Sequence, residues 1–281
     1  MNRSIRILLV VIPLAGISVA AGFTAYRFVH SLNAKRPEQI SPSIEKQVPR
    51  DDWPDVPQLI ASRLPSIGMQ QLLSCKTSLD LPKEVPAIAH ASNFGKREPF
   101  DAIGRSIPNQ PSLIVIHETV IPARDTVRLF QTNHQDDNSQ ASYHLLVSRG
   151  GRLIRIVPDN MRAYGSGYSK FGDFTVYSKS PRNFSINNVA LHISLESPPN
   201  SQDGPSADIH YTKEQYSTLA KQVLLWQAEY GIPIFRVTTH ASVDRSHSRY
   251  DPRGLVWDDF DHYHKKYATV CGLDYLTLPS S

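Results

Sequence analysis

The sequence predicts an α/β fold: a mixed central β-sheet flanked by helices, preceded by an N-terminal membrane helix and an extension. Three observations carry this. The runs 113–117 and 189–195 are short, apolar and rich in β-branched residues, as buried strands are. Residues 212–230 repeat Tyr216, Leu219, Ala220, Val223 and Leu224 at helical spacing, which makes one apolar face. Strands and helices alternate without strict βαβ order, and no internal repeat is present, so the sheet is expected to be mixed.

The bulk numbers bound the rest. A chain of 281 residues holds one sizeable domain with extensions, or at most two small ones. With 40% hydrophobic and 20% charged residues it is ordinary globular material. The net charge of +4 suits a polyanionic surface such as a cell wall or membrane, and equally suits plain solubility. No basic stripe interleaved with aromatics is present, so no nucleic-acid partner is expected. Cys75 and Cys271 are the two cysteines, and neither lies in a C-x-x-C, which argues against a thiolate zinc knuckle. A disulfide in an oxidising compartment and two free thiols both remain open.

At the N-terminus Arg3 and Arg6 precede an apolar, uncharged run over 7–26. Roughly 20 such residues span a bilayer. Pro13 and Gly16 interrupt the run but are tolerated in membrane helices, and the basic residues favour a cytoplasmic N-terminus. A signal peptide cleaved near Ser18-Val19-Ala20 is the alternative, although the run continues apolar beyond it. Either way, 1–30 is a signal-anchor or signal peptide. The remainder is expected to be extracytoplasmic or periplasmic, membrane-anchored or secreted.

Residues 31–110 read as a proline-rich linker or extension, punctuated by Pro37, Pro42, Pro49, Pro54, Pro57 and Pro65. Within it, 57–73 could form short helices that dock on the main domain. The folded domain is expected over 111–268, with 269–281 as a tail. Its first strand ends on His117. A helix follows over 125–133. Strands over 143–148 and 152–157 flank Arg149-Gly150-Gly151, a hairpin signal. In 189–195, strand alternation turns Ala190, His192, Ser194 and Glu196 towards a polar cleft and buries Leu191, Ile193 and Leu195. Thr212 with Gln215 makes a capping box for the long helix, Gly231 ends it and Pro233 prevents its continuation. A strand over 234–237 leads to Thr239-His240, and 255–267 forms a closing helix.

Two predicted strands therefore end near histidines, His117 and His240, and Asp251 follows in a loop before Pro252. Strand ends on one edge of a sheet converge. Two imidazoles and a carboxylate form a standard catalytic zinc set with a fourth position open. From spacing alone, a histidine ending a strand is more often structural or exposed than a metal ligand.

The stretch from Leu113 to about Tyr263 resembles the type 2 N-acetylmuramoyl-L-alanine amidases and the related peptidoglycan recognition proteins. The matching pieces stand in the family's order. They are Ile114-Val115-Ile116-His117-Glu118-Thr119, Ser142-Tyr143-His144 with Arg149-Gly150-Gly151, His192-Ile193-Ser194-Leu195-Glu196, Tyr211-Thr212-Lys213-Glu214-Gln215-Tyr216, Tyr230-Gly231-Ile232-Pro233, and Thr239-His240 with Arg249-Tyr250-Asp251-Pro252. The resemblance implies Zn2+ on His117, His240 and Asp251. It also implies cleavage of the amide between N-acetylmuramic acid and L-alanine in peptidoglycan or muropeptides. Glu196 falls at the family's catalytic glutamate, where a carboxylate relays a proton from water to the leaving amine.

Arg249 stands where the family usually has lysine and would stabilise the oxyanion with a bulkier, planar donor fork. Tyr143 matches a tyrosine that phage amidases keep near zinc; it could orient substrate or only pack. His144, His192 and Tyr164 are candidate substrate contacts. Gly165 replaces a family histidine in Ala163-Tyr164-Gly165-Ser166-Gly167. The interval from His240 to Asp251 is about one residue longer than usual, which makes His247 a competing third ligand. His262 and His264, beside Asp259 and Asp261, read as a solvated helix face. The alternatives to an enzyme are a non-catalytic peptidoglycan-binding module and a structural anchor to the wall.

Overall fold

The computed structural model describes residues 63–172, 174–180, 183–199, 201 and 209–277. All of them belong to one of the two units into which the chain divides, Pro37–Ser281. The expected membrane segment 1–30 lies outside the described residues, among which no helix is long and apolar enough to cross a membrane.

The strands are β1 (Val85–Pro86), β2 (Phe94–Lys96), β3 (Leu113–Glu118), β4 (Leu145–Val147), β5 (Leu153–Arg155), β6 (Met161–Ala163), β7 (Tyr177–Ser180), β8 (Asn183–Phe184), β9 (Ala190–Leu195) and β10 (Val237–Thr239). The helices are α1 (Met69–Ser78), α2 (Ala123–Gln131), α3 (Lys213–Tyr230), α4 (His240–Val243) and α5 (Trp257–Cys271). A six-stranded sheet runs in the order β1-β5-β4-β9-β3-β10. The pairs β3–β9, β3–β10, β4–β9 and β1–β5 are parallel and the hairpin β4–β5 is antiparallel, so the sheet is mixed as the sequence predicts.

The central strands are buried on both faces, which explains why β3 and β9 read as nearly continuous apolar runs. On one face Ile114, Ile116, Leu191, Ile193 and Leu195 pack against Leu219, Val223 and Trp226 of α3 and Phe260 of α5. On the other, Leu113, Val115 and Ala190 meet Val176, Ile186, Val189 and Val243. Each fully buried aliphatic side chain contributes about 1.5–3 kcal/mol. The face carrying Ala190, His192 and Ser194, expected to line an open cleft, is instead fully covered.

Helix α3 forms as its ends dictate. Thr212 and Gln215 complete the reciprocal capping box, and Gly231 closes the helix in the left-handed conformation at φ 65°. That end is also a docking point. Leu64 N donates to Gly231 O at 2.9 Å and Ile67 N to Ala228 O at 3.0 Å. Leu72, Cys75 and Leu79 then pack with Leu224, Leu225 and Ala228. Cys75 is disulfide-bonded to Cys271 with a Cα–Cα separation of 5.1 Å, which ties α1 to α5. Within the segment 31–110, expected as a linker or extension, the described residues from 63 onward carry α1, β1 and β2. Its described apolar residues find partners on distant segments: Leu72 and Leu79 on the helices, and Ala89 and Phe94 beside Leu146, Ile156 and Ala163 on the sheet side.

The strand expected over 234–237 is instead a 3-10 turn, Ile234–Arg236, followed by β10. Ile234 and Val237 are both buried, and residues three apart share one side of such a turn. In α5, His264 is buried and its Nε2 lies 2.6 Å from Gln227 Oε1, whereas His262 is exposed. The solvated-face expectation therefore holds for His262 and fails for His264, which points towards α3.

Candidate metal centre

Three chain segments meet at the C-terminal ends of β3 and β10. His117 is the fifth residue of β3, held in register between Ser194 of β9 and the end of β10, where Thr239 pairs with Ile116. His240 opens α4 directly after β10, and Thr239 caps that helix by accepting from Ser242 N. Asp251 is brought in by its own backbone, whose carbonyl accepts from Ala241 N at 2.9 Å.

The side chains converge. His117 Nδ1 and His240 Nδ1 lie 3.2 and 3.1 Å from Asp251 Oδ2. One donor atom from each of the three residues falls within 4.8 Å of the others. Two donors about 2.0 Å from a tetrahedral zinc stand roughly 3.3 Å apart, so these separations and this donor set fit zinc. His247, the competing ligand, is exposed and lies outside the group.

Tyr143 stacks on His117 with ring centroids 4.6 Å apart, and Phe130 meets it edge-on. Arg249 donates its backbone N–H to Asp244 Oδ2, and its charge reaches His117, where it opposes protonation. Glu196 lies just beyond β9, half-buried. Its Oε1 accepts from Ala123 N at 2.8 Å and its Oε2 from Arg149 N at 2.8 Å, which couples the start of α2 to the β4–β5 hairpin. Tyr164 is held by Ser142, whose hydroxyl accepts from its N–H, and by Arg162 over its ring.

Behind His117 runs a file of imidazoles. The ring centroids of His240 and His117 are 4.6 Å apart, those of His117 and His192 5.1 Å, and those of His192 and His144 5.8 Å. His144 and His192, expected as substrate contacts, are fully buried. His144 Nδ1 accepts from His192 N and its Nε2–H donates to Met161 O, so the surroundings assign its tautomer. The file ends at Arg97, a buried guanidinium bound to the carbonyls of Asp159, Asn188 and Ala190.

These surroundings set the charges. Burial lowers His117 to about 4 and holds His144 and His192 well below 6.5. Burial alone would raise Asp251, but the imidazoles of His240 and His117 hold it well below 3.8. Glu118 is the opposite case: burial pushes it up to about 7 against the pull of Arg253.

The pH dependence of the metal-free protein follows. An imidazole depressed in the folded state contributes stability that is present above its unfolded value and lost as pH falls towards its folded value. Each gives a slope of about 1.4 kcal/mol per pH unit below about pH 6.5. Glu118, raised in the folded state, acts oppositely: its contribution is present below 4.5 and lost as pH rises through about 7. Three imidazoles outweigh one carboxyl, so chelator-treated protein should lose thermal stability steadily from pH 6.5 to 5. A melting temperature that does not fall over this range would contradict the buried neutral file.

Sequence reasoning missed Glu118, Arg253 and Arg97. Glu118 alternates away from His117 on β3. It accepts from Tyr211 OH at 2.9 Å and pairs with Arg253, which also donates to Ser201 O at 2.7 Å. Two residues after Asp251, Arg253 thereby pins the loop that carries Asp251 from the opposite face of the sheet. A lone carboxylate in an apolar strand was the available signal. Arg97 left none, since it lies in a segment without pattern.

The sequence matches a family described as N-acetylmuramoyl-L-alanine amidase over residues 107–254. No curated protein matches it. Solved structures similar to it include a selenomethionine derivative of AmpD, at 20% identity, covering 65% of this chain and 93% of that one, with a TM-score of 0.46. Another is the hydrolase AmiA of Staphylococcus aureus in complex with its ligand, at 18% identity, 76% and 99% coverage and a TM-score of 0.46. A third is AmpDH3 of Pseudomonas aeruginosa in complex with anhydromuramic pentapeptide, at 18% identity, 62% coverage of each chain and a TM-score of 0.41.

Proposed function

The chain belongs to the N-acetylmuramoyl-L-alanine amidase family, and from that premise we propose that it is a zinc-dependent hydrolase of the amide between N-acetylmuramic acid and the stem-peptide L-alanine. The observation that carries the metal half of this reading is the convergence of His117 Nδ1, His240 Nδ1 and the Asp251 carboxylate. These three residues would hold Zn2+. When bound, such an ion supplies Lewis-acid chemistry, polarising a carbonyl and making water more acidic.

The chain's own groups do the rest. Glu196 takes a proton from the attacking water on a carboxylate oxygen and returns it to the leaving amine nitrogen. Each oxygen already accepts one backbone N–H and keeps a further lone pair for this. Arg249 supplies positive charge towards the oxygen that becomes negative. Tyr143, stacked on His117, orients substrate at the mouth of the site. Tyr164 is a substrate contact, and His144 and His192 support the site from behind.

We place the domain outside the cytoplasm, tethered by the N-terminal segment or released after its cleavage. Arg3 and Arg6 before the apolar run support export, and the Cys75–Cys271 cross-link suits an oxidising compartment.

The test is zinc analysis of the purified protein with mass spectrometry of digested muropeptides. Expected are stoichiometric zinc and released stem peptide, both abolished by chelation. Stoichiometric zinc without released peptide would favour a binding module instead.

A further inference from the structure

Gly165 and His192 occupy one space. A Cβ built on Gly165 would stand 2.5 Å from both Cγ and Nδ1 of His192 and 2.9 Å from its Cε1. No side chain fits that closely, so a glycine is needed here for close approach. The ring cannot retreat: it is fully buried, stacked on His144, with its Nδ1 2.9 Å from His117 Nε2. Its other nitrogen, Nε2, is buried without a hydrogen-bond partner. Buried polar atoms are normally paired, so an exception calls for an explanation. This ring is placed for what its Nδ1 does.

We propose that His192 is a positioning residue for the metal centre and that Gly165 is the space that admits it. The inference rests on the reading of His117 as a zinc ligand. With His117 Nδ1 as the metal-binding nitrogen, beside Asp251 and His240, its Nε2 carries the proton and donates to His192 Nδ1 across 2.9 Å. A ligating imidazole needs such a partner on its second nitrogen to fix tautomer and orientation. Here another histidine provides it.

Five variants of the full chain test this: His192→Phe, His192→Asn, His192→Ala, Gly165→Ala, and Gly165→Ala combined with His192→Ala. The readouts are zinc affinity by chelator competition, the absorption spectrum of the cobalt-substituted protein, and the melting temperature without metal. His192→Phe keeps a ring but loses the acceptor. It should weaken zinc binding about 10–100-fold and shift the cobalt spectrum, without lowering the metal-free melting temperature. His192→Asn, whose Oδ1 can stand near the lost Nδ1, should restore most of the affinity.

Gly165→Ala should weaken zinc binding in the native background, yet cost little more once His192→Ala has vacated the space. If His192→Phe does not fold, the Asn variant and the Gly165 pair still decide. Unchanged affinity and spectrum in His192→Phe, or strictly additive effects at 165 and 192, would overturn the proposal while leaving the zinc reading intact. Absence of zinc binding by the unaltered protein would overturn both.

Discussion

Asp251→Ala is expected to lose bound zinc and amidase activity together. The carboxylate stands 3.2 Å from His117 Nδ1 and 3.1 Å from His240 Nδ1, and no other acidic or imidazole group among the described residues joins that cluster. Removing it leaves two imidazoles, a weaker set for a divalent ion. The loss should exceed the roughly 10–100-fold that changes to a ligand's partners cost. His117→Ala and His240→Ala should behave alike. His247→Ala, at an exposed position outside the cluster, should retain full zinc. Metal analysis of the four proteins decides, and normal zinc in Asp251→Ala would refute the ligand assignment.

Glu196→Ala is expected to keep zinc and lose activity by about 10²–10⁴-fold, the range for removing a general acid–base. The structure complicates this usefully. Both carboxylate oxygens hold backbone N–H groups, one at the first residue of α2, so the substitution also removes a helix-capping interaction. That loss should cost about 0.5–2 kcal/mol of stability. Assays well below the melting temperature separate the two effects, because a lost cap leaves turnover of the folded fraction untouched. Unchanged turnover at full zinc content would remove Glu196 from the mechanism.

Glu118 offers the instructive contrast. Its carboxyl, pushed up to about 7, would suit a general base near neutral pH. Strand alternation, however, puts it on the face opposite His117, buried against Tyr211 and Arg253. A suitable pKa without access to the reacting atoms is a structural feature.

Much of the architecture was legible because its causes are local. The capping box at Thr212 and Gln215, the Gly231 stop and the Arg149-Gly150-Gly151 hairpin each depend on residues a few positions apart. The apolar runs of β3 and β9 declare strands buried on both faces. The strand-end positions of His117 and His240, with Asp251 in a following loop, already allowed a metal site, and the ordered motifs named its family. The expectation over 234–237 failed because an apolar run of that length suits a 3-10 turn as well as a strand.

The sequence by itself therefore determined the long capped helix, the central strands, the hairpin and the three candidate ligands. Only the tertiary structure decided what stands beside them. The parallel register of β3 and β9 sets His192 behind His117, and the approach of the 163–167 segment makes Gly165 the space that ring requires. The pinning of Arg253 by Glu118 and the burial of Arg97 beneath the imidazole file arise in the same way. Helical backbone hydrogen bonding, capping and side-chain periodicity act within a turn or two of chain. Contacts between distant segments depend on strand register and loop approach, and these exist only once the sheet has closed.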